Sequence, residues 1–206
     1  MTNPSASSYE QLCREIEKEA ISADFKEAAA AIGGKFISAD GGEVIALKMI
    51  DTSYELRKKG LFQDNEYCGD LWAKIIIYDY VRKRGRSPMT GELLPLDLFP
   101  HAPSHTKAFQ SNAQKKIAAR FEKDLPGLRR RCVAIGGSEA KGKLKADCNA
   151  RFDLLPHVPL YLSFWSADEE FGADCKLLFD SSAKDYIDIS YLAYLLERFA
   201  EKLVSD

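Results

Sequence analysis

The sequence contains no long apolar run. No stretch approaches the roughly 20 apolar residues that a helix needs to cross a bilayer, and the N-terminal residues 1–5 lack the basic and apolar regions of a signal peptide. We therefore expect no membrane partner and a location in the cytoplasm.

An excess of charge of one sign is also missing. The chain carries 29 Lys and Arg against 31 Asp and Glu, which gives a formal net charge of −2. A surface that coats nucleic acid is strongly basic, because it must neutralise phosphates. We therefore expect no nucleic-acid partner.

Paired cysteine motifs are absent as well. The five cysteines are an odd number spread along the chain, and no two form the C-x-x-C pair of zinc and cluster sites. They are Cys13, Cys68, Cys132, Cys148 and Cys175. The sequence therefore predicts no metal site and encodes no cofactor motif. It is typical of a reducing compartment, where a cysteine on an apolar face is most often a small buried hydrophobe.

The stretch from Leu154 to Leu203 carries the strongest structural pattern. Residues 158–165 would place apolar side chains on both faces of a strand, which indicates a central strand. A second short strand is predicted at 176–179. The helix that follows, at 189–203, repeats its apolar residues at the three-and-four spacing of one buried stripe, so we expect it to pack on the strands.

These patterns predict an α+β fold with a mixed, largely antiparallel sheet. Its strands form a hairpin near 35–49 and a meander over 145–179, because the connection at 154–157 is too short for the crossover that parallel neighbours need. The sheet should be packed by helices at 66–84, 106–123 and 189–203. At 206 residues we expect one domain, in which the N-terminal helices at 9–32 are an integral part or a peripheral extension.

Three segments resemble the C-terminal signature of an uncharacterised prokaryotic family, known as a domain of unknown function. They are Leu155-Pro-His-Val-Pro-Leu160, Phe164-Trp-Ser-Ala-Asp-Glu-Glu-Phe171 and Leu177-Leu-Phe-Asp-Ser-Ser-Ala183. The resemblance implies occurrence largely in anaerobic bacteria and archaea, with some members fused to an iron–sulfur segment like that of corrinoid iron–sulfur proteins. The 206 residues contain no such segment. The family offers no established activity or catalytic residues to transfer.

A candidate site follows from the meander. The end of its first strand, the start of its second and the end of its third lie on one rim, which should bring together Asp153, His157, Asp180 and Ser181. A histidine between carboxylates can act as an acid or a base near neutral pH. The alternative is that Asp180 and Ser181 only cap the following turn, which is the commoner use of these residue types.

Secondary candidates lie at the opposite rim. Asp168, Glu169 and Glu170 form an acidic turn beside Trp165. Three adjacent carboxylates point in different directions and do not converge on one cation. We therefore expect no metal here.

Three other segments remain open to more than one interpretation. The basic cluster at 82–86 either binds phosphate or complements the dipole of the helix it ends, and we favour the second. The proline-rich segment at 87–104 is either a lid or a cover for the core. Residues 137–143 fit the phosphate-loop pattern G-x-x-x-x-G-K, but we interpret them as a solvated turn because a strand is predicted after them instead of a helix.

Three classes of function are consistent with the sequence. The first is a small-ligand or cofactor-handling accessory protein in anaerobic metabolism, whose partner is a small molecule or a protein of corrinoid or iron–sulfur metabolism; it rests on the resemblance. The second is a hydrolase or transferase that uses the rim site at His157. The third is a protein-interaction module that docks through the proline-rich segment. The oligomeric state cannot be read from these residues.

Overall fold

The computed structural model describes residues 6–39, 42–140 and 145–205. Within these ranges the chain forms two five-stranded antiparallel sheets with helices packed around them, so the predicted α+β class is confirmed. The formal phosphate-loop pattern at 137–143 includes residues 141–143, which lie outside the described residues.

The first sheet is a meander in chain order. Its strands are β1 (Lys35–Ala39), β2 (Gly42–Met49), β3 (Thr52–Arg57), β4 (Gly60–Gln63) and β5 (Glu66–Tyr67). The hairpin predicted near 35–49 is confirmed, with Phe36 opposite Ile45. Strands β3, β4 and β5 extend the sheet beyond it.

The second sheet has the strand order β6-β10-β9-β8-β7. The strands are β6 (Leu93–Leu94), β7 (Ser138–Glu139), β8 (Cys148–Leu155), β9 (Val158–Trp165) and β10 (Asp174–Asp180). The predicted meander is confirmed as β8, β9 and β10, in which Leu160 lies opposite both Phe152 and Phe179.

The prediction of one mixed sheet is wrong. The described strands form two sheets, and every pair of neighbouring strands is antiparallel. Alternation fixes which side chains face the core, but it does not fix which strands become neighbours. The sheets meet where the Ile50 amide donates to the Leu154 carbonyl over 2.8 Å. Ile50 adopts a left-handed conformation, with φ of 59°.

The helices are α1 (Ala6–Ser22), α2 (Phe25–Ile32), α3 (Leu71–Lys83), α4 (Thr106–Phe121), α5 (Leu125–Ala134), α6 (Ala183–Tyr186) and α7 (Ile189–Val204). The helix predicted at 66–84 starts later, because residues 66–67 form β5 and Asp70 caps α3 by accepting a hydrogen bond from the Ala73 amide. Of the described helices, none has the length and apolarity to cross a membrane.

Side chains from both sheets and from α1 to α7 share one buried apolar cluster. Helix α7 contributes its predicted stripe, and the Phe199 ring packs edge-on against Phe152 with centroids 4.7 Å apart. Helices α1 and α2 bury Ile16 and Phe25 in the same cluster. The division of the chain into domains stays a prediction.

Helix α3 is buried on all sides from Ile75 to Val81. Tyr78, Asp79 and Tyr80 are consecutive, and the polar side-chain atoms of each connect α3 to a different part of the fold. The Tyr78 hydroxyl accepts from the Leu61 amide of β4 over 3.1 Å. Asp79 accepts from the Asp188 amide, at the start of α7, over 2.7 Å.

Tyr80 makes the third connection. Its hydroxyl donates to the Ile32 carbonyl, at the end of α2, over 2.8 Å. The same hydroxyl accepts from the His157 amide, in the turn between β8 and β9, over 3.2 Å. The orientation of α3 therefore fixes α2 relative to the second sheet.

We expect Leu196→Ala to lower the free energy of unfolding by about 2 to 5 kcal/mol, because it leaves a cavity under the fully buried stripe of α7. Urea denaturation monitored by circular dichroism measures this loss. Val133→Ala is the control, since that side chain is 72% exposed and should change stability by less than about 0.5 kcal/mol. A loss below about 1 kcal/mol for Leu196→Ala would contradict the buried position.

Candidate ligand-binding cleft

A cleft of about 510 Å³ opens beside the turn between β8 and β9. Its walls come from α2, the loop at 86–89, α6 and the turn that carries His157. The lining residues are Glu27, Ala30, Ala31, Arg86, Ser87, Pro88, Met89, His157 and Tyr186. We call it the His157 cleft.

The wall formed by α2 is smooth because its residues there are alanines, Ala30 and Ala31. The helix ends at Gly33, which has a φ of 70° and whose amide donates to the Ala29 carbonyl. A Cβ atom at Gly33 would lie 2.9 Å from Nε2 of His157. Position 33 therefore requires glycine for two reasons, namely its left-handed conformation and the close approach of the imidazole.

His157 is held by packing of its ring and by the hydrogen bond from its backbone amide to Tyr80. Its ring packs against Tyr186 with centroids 5.3 Å apart, and the Tyr186 hydroxyl donates to the Ser87 carbonyl over 2.6 Å. The side chain is half-buried. Within residues 6–39, 42–140 and 145–205, no group hydrogen-bonds to its ring nitrogens, so these nitrogens are available to a ligand.

The loop that forms the opposite wall is anchored by Asp180. The carboxylate is 1% exposed, and it accepts hydrogen bonds from the Thr90 amide and hydroxyl, both over 3.0 Å, and from the Gly91 amide over 2.7 Å. Ser182 donates to it through its amide and its hydroxyl. Burial raises the pKa of Asp180, but the bonds from Ser182, Thr90 and Gly91 outweigh burial and lower the pKa to about 2.

One ion pair lies at the mouth of the cleft, between Arg86 and Glu27. Both side chains are more than half exposed. An ion pair with this exposure contributes little to stability, because water screens it. A ligand with a charged group can therefore replace one partner at small cost.

The predicted rim residues have different roles in the structure. His157 lines the cleft, whereas Asp180 and Ser181 lie behind its wall, where the Ser181 hydroxyl is 2.8 Å from that of Thr90. Asp153 lies in a different groove and pairs with Arg151 over 2.7 Å. Of the four predicted residues, His157 alone lines the cleft, whereas Asp180 and Ser181 hold the loop that forms its opposite wall.

The secondary candidates lie on the loop between β9 and β10. Asp168 is exposed and accepts hydrogen bonds from the amides of Phe171 and Glu170, which lower its pKa. The Trp165 indole donates to the Lys145 carbonyl, and Glu169 is exposed. Among the described residues, no group of three or more His, Cys, Asp or Glu side chains could hold a metal ion.

Two arginines of the basic cluster at 82–86 form ion pairs with acidic residues of the same chain. Arg82 pairs with the buried carboxylate of Asp79 over 2.8 Å, and Arg86 pairs with Glu27. Burial raises the pKa of Asp79, and the bonds from the Asp188 amide and Arg82 oppose that effect.

The proline-rich segment at 87–104 combines two roles that the sequence left as alternatives. Its first residues line the cleft, and its later residues bury Leu96 and Phe99 in the core. Gln110 fastens the segment by accepting from the Leu96 amide and donating to the Leu177 carbonyl. It is therefore a fixed cover with one edge in the cleft.

Sequence reasoning missed Glu27, Arg86 and Tyr186 as cleft residues. They are distant in sequence, and only Arg86 carried a signal, as the last residue of the basic cluster at 82–86, for which we favoured a role at the helix end. One signal was present, since Gly33-Gly34 after a helix marks a place where another chain segment can approach closely.

The fold and cleft define an α+β protein with a preformed side cleft. The chain belongs to the family described as "Domain of unknown function (DUF3786)", which matches residues 24–202. This range includes every residue that lines the cleft and leaves out α1. No curated protein and no solved structure matches the chain. The family resemblance inferred from the sequence is confirmed, whereas the anaerobic occurrence and the fusions stay predictions.

We expect Asp180→Asn to lower the free energy of unfolding at pH 7 by about 2 to 3 kcal/mol, because the pKa of Asp180 lies near 2 in the folded protein against an ordinary value of 3.8. A depressed pKa stabilises the fold above pH 4, and this contribution is lost as the pH falls through 2. The difference between the wild type and the variant should therefore shrink by about half at pH 3.

Urea denaturation at the two pH values measures these differences. Asp153→Asn is the control, because that carboxylate is exposed and makes one surface ion pair, so its effect should stay below about 1 kcal/mol. Equal losses for both variants would show that Asp180 does not anchor the loop.

Proposed function

We propose that this protein binds a small molecule in the His157 cleft and acts as a ligand- or cofactor-handling accessory protein. The observation that carries the proposal is the imidazole of His157, which is fixed on three sides while no described residue bonds its ring nitrogens. A cleft of about 510 Å³ suits a metabolite, since small-molecule sites span roughly 300 to 1,000 Å³.

The chemistry of the walls favours a ligand with an anionic group and a short apolar part. Arg86 and His157 can both donate hydrogen bonds to a carboxylate or a phosphate. Met89 and Pro88 offer apolar surface, and the alanines of α2 leave room for it. Glu27 can take a cationic or hydroxyl group of the same ligand when Arg86 turns to the anion.

The setting in anaerobic metabolism is the part of this proposal that rests on family resemblance. Relatives with an attached iron–sulfur segment would bring the cleft close to a cofactor. The ligand would then be a small molecule, or a group on a partner protein, of corrinoid or iron–sulfur metabolism.

Ligand binding is favoured over a hydrolase or transferase at the rim. Asp180 uses its carboxylate for five hydrogen bonds that hold the loop, and Ser181 bonds to Thr90. Neither is among the residues that line the cleft with His157. A docking module is less favoured because the leucines of the proline-rich segment are mostly covered, with Leu98 exposed as a single side chain.

We expect a small carboxylate or phosphate monoester to bind wild-type protein with an affinity that falls at least about tenfold in His157→Ala, because a lost hydrogen bond to a charged group is worth about 1.5 to 3 kcal/mol. Ligand-observed NMR with citrate, pyruvate, inorganic phosphate and glycerol phosphate identifies the ligand class. Titration calorimetry then measures the affinity.

Arg86→Ala should weaken the binding of the same ligand. The control, His105→Ala, should leave the affinity unchanged, since that histidine is exposed and does not line the cleft. His157→Ala should cost little stability. The proposal fails if ligands bind equally to the wild type and to His157→Ala, or if His157→Ala loses stability and binding in equal measure.

A further inference from the structure

A second groove, of about 440 Å³, lies at the other end of β8 from the His157 cleft. It lies between α5 and the start of β8, and residues 137–140 form its third side. The chain turns tightly there, because the Gly137 amide donates to the Cys132 carbonyl over 2.8 Å. A Cβ atom at Gly137 would lie 2.4 Å from the Phe152 ring, so only glycine fits.

Two thiols meet in this groove. Cys132 comes from the inner face of α5, and Cys148 is the first residue of β8, opposite Phe164. Their side chains are close enough to influence each other's ionisation, and both line the groove while only 4% and 8% exposed. Cys175, on β10, is buried behind them and does not line the groove.

The surroundings make the two thiols unequal. The interaction with Cys132 lowers the pKa of Cys148, and Arg129 acts in the same direction, while burial and Glu139 oppose it. The interaction with Cys148 and burial raise the pKa of Cys132. Arg129 is held in place because it donates to the Asp147 carbonyl over 2.7 Å.

We propose that Cys132 and Cys148 are a thiol–disulfide exchange site whose substrate is a low-molecular-weight disulfide. Cys148 is the attacking thiol, because it lies beside the guanidinium of Arg129 and lines the open groove. Cys132 is the resolving thiol, because it lines the same groove and its side chain interacts with that of Cys148. Closing the disulfide brings the two sulfurs to about 2.05 Å.

The exchange balances in two steps. The Cys148 thiolate attacks one sulfur of the substrate disulfide, so a mixed disulfide forms and one thiolate leaves. Cys132 then loses its proton and attacks Sγ of Cys148, so the mixed disulfide breaks and the second thiolate leaves. The two protein thiols are oxidised to one disulfide, and the substrate is reduced to two thiols that take up the two protons.

The experiment treats the reduced full-length protein with glutathione disulfide at pH 7.5, alkylates the remaining thiols, and reads the products by intact and peptide mass spectrometry. Wild-type protein should lose two of its five alkylatable thiols and show a Cys132–Cys148 linked peptide. Cys132→Ser should stop at a glutathione adduct on Cys148. Cys148→Ser should react at least about tenfold more slowly, with no linked peptide.

Cys68→Ser is the matched control and should behave as wild type, because that buried thiol lies outside the groove and burial raises its pKa. A second readout needs no substitution, namely the alkylation rate of each cysteine in wild-type protein across pH 6 to 9. Cys148 should be the most reactive of the five. The proposal is overturned if Cys148 reacts no faster than Cys13 or Cys68, or if the oxidised wild type keeps a glutathione adduct without closing the disulfide.

Discussion

The buried hydroxyl of Tyr80 is the interaction on which the arrangement of the cleft depends. It donates to the end of α2 and accepts from the turn that carries His157, so both of its hydrogen-bonding functions are satisfied away from water. A buried hydroxyl without partners is costly, and this cost ties two distant segments to one point on α3. Burial raises the pKa of Tyr80, which keeps the hydroxyl protonated and able to donate.

The cleft uses its polar residues in two distinct ways. Asp180 looks chemically suited to a site, yet its lone pairs are occupied by the loop that it supports. His157, by contrast, lines the cleft, and its ring nitrogens have no hydrogen-bond partner among the described residues. Supporting residues and contact residues are therefore separated, which is how a rigid binding site is usually built.

Much of the fold could be predicted because its signals are local. The stripe of α7, the Asp188 cap and the short turn before β9 are each contained in a few neighbouring residues. What could not be predicted depends on partners far along the chain. The Asp-Ser-Ser run at 180–182 suggested local capping, and Ser182 does donate to Asp180, but the same carboxylate also accepts from Thr90, ninety residues earlier. The two-residue strands β5 and β6 likewise exist only because a neighbouring strand pairs with them.

The contact between the two sheets has a consequence for motion. Ile50 donates the bond that joins β2 to β8 from a left-handed conformation, which a β-branched side chain disfavours. That conformation belongs to the two-residue turn between β2 and β3, because Met49 pairs with Thr52, so the strain remains when this seam between the sheets opens. The described backbone shows a single hydrogen bond across the seam, against a ladder of them within each sheet. Hydrogen exchange at the Ile50 amide would count those openings without requiring the rest of the protein to unfold.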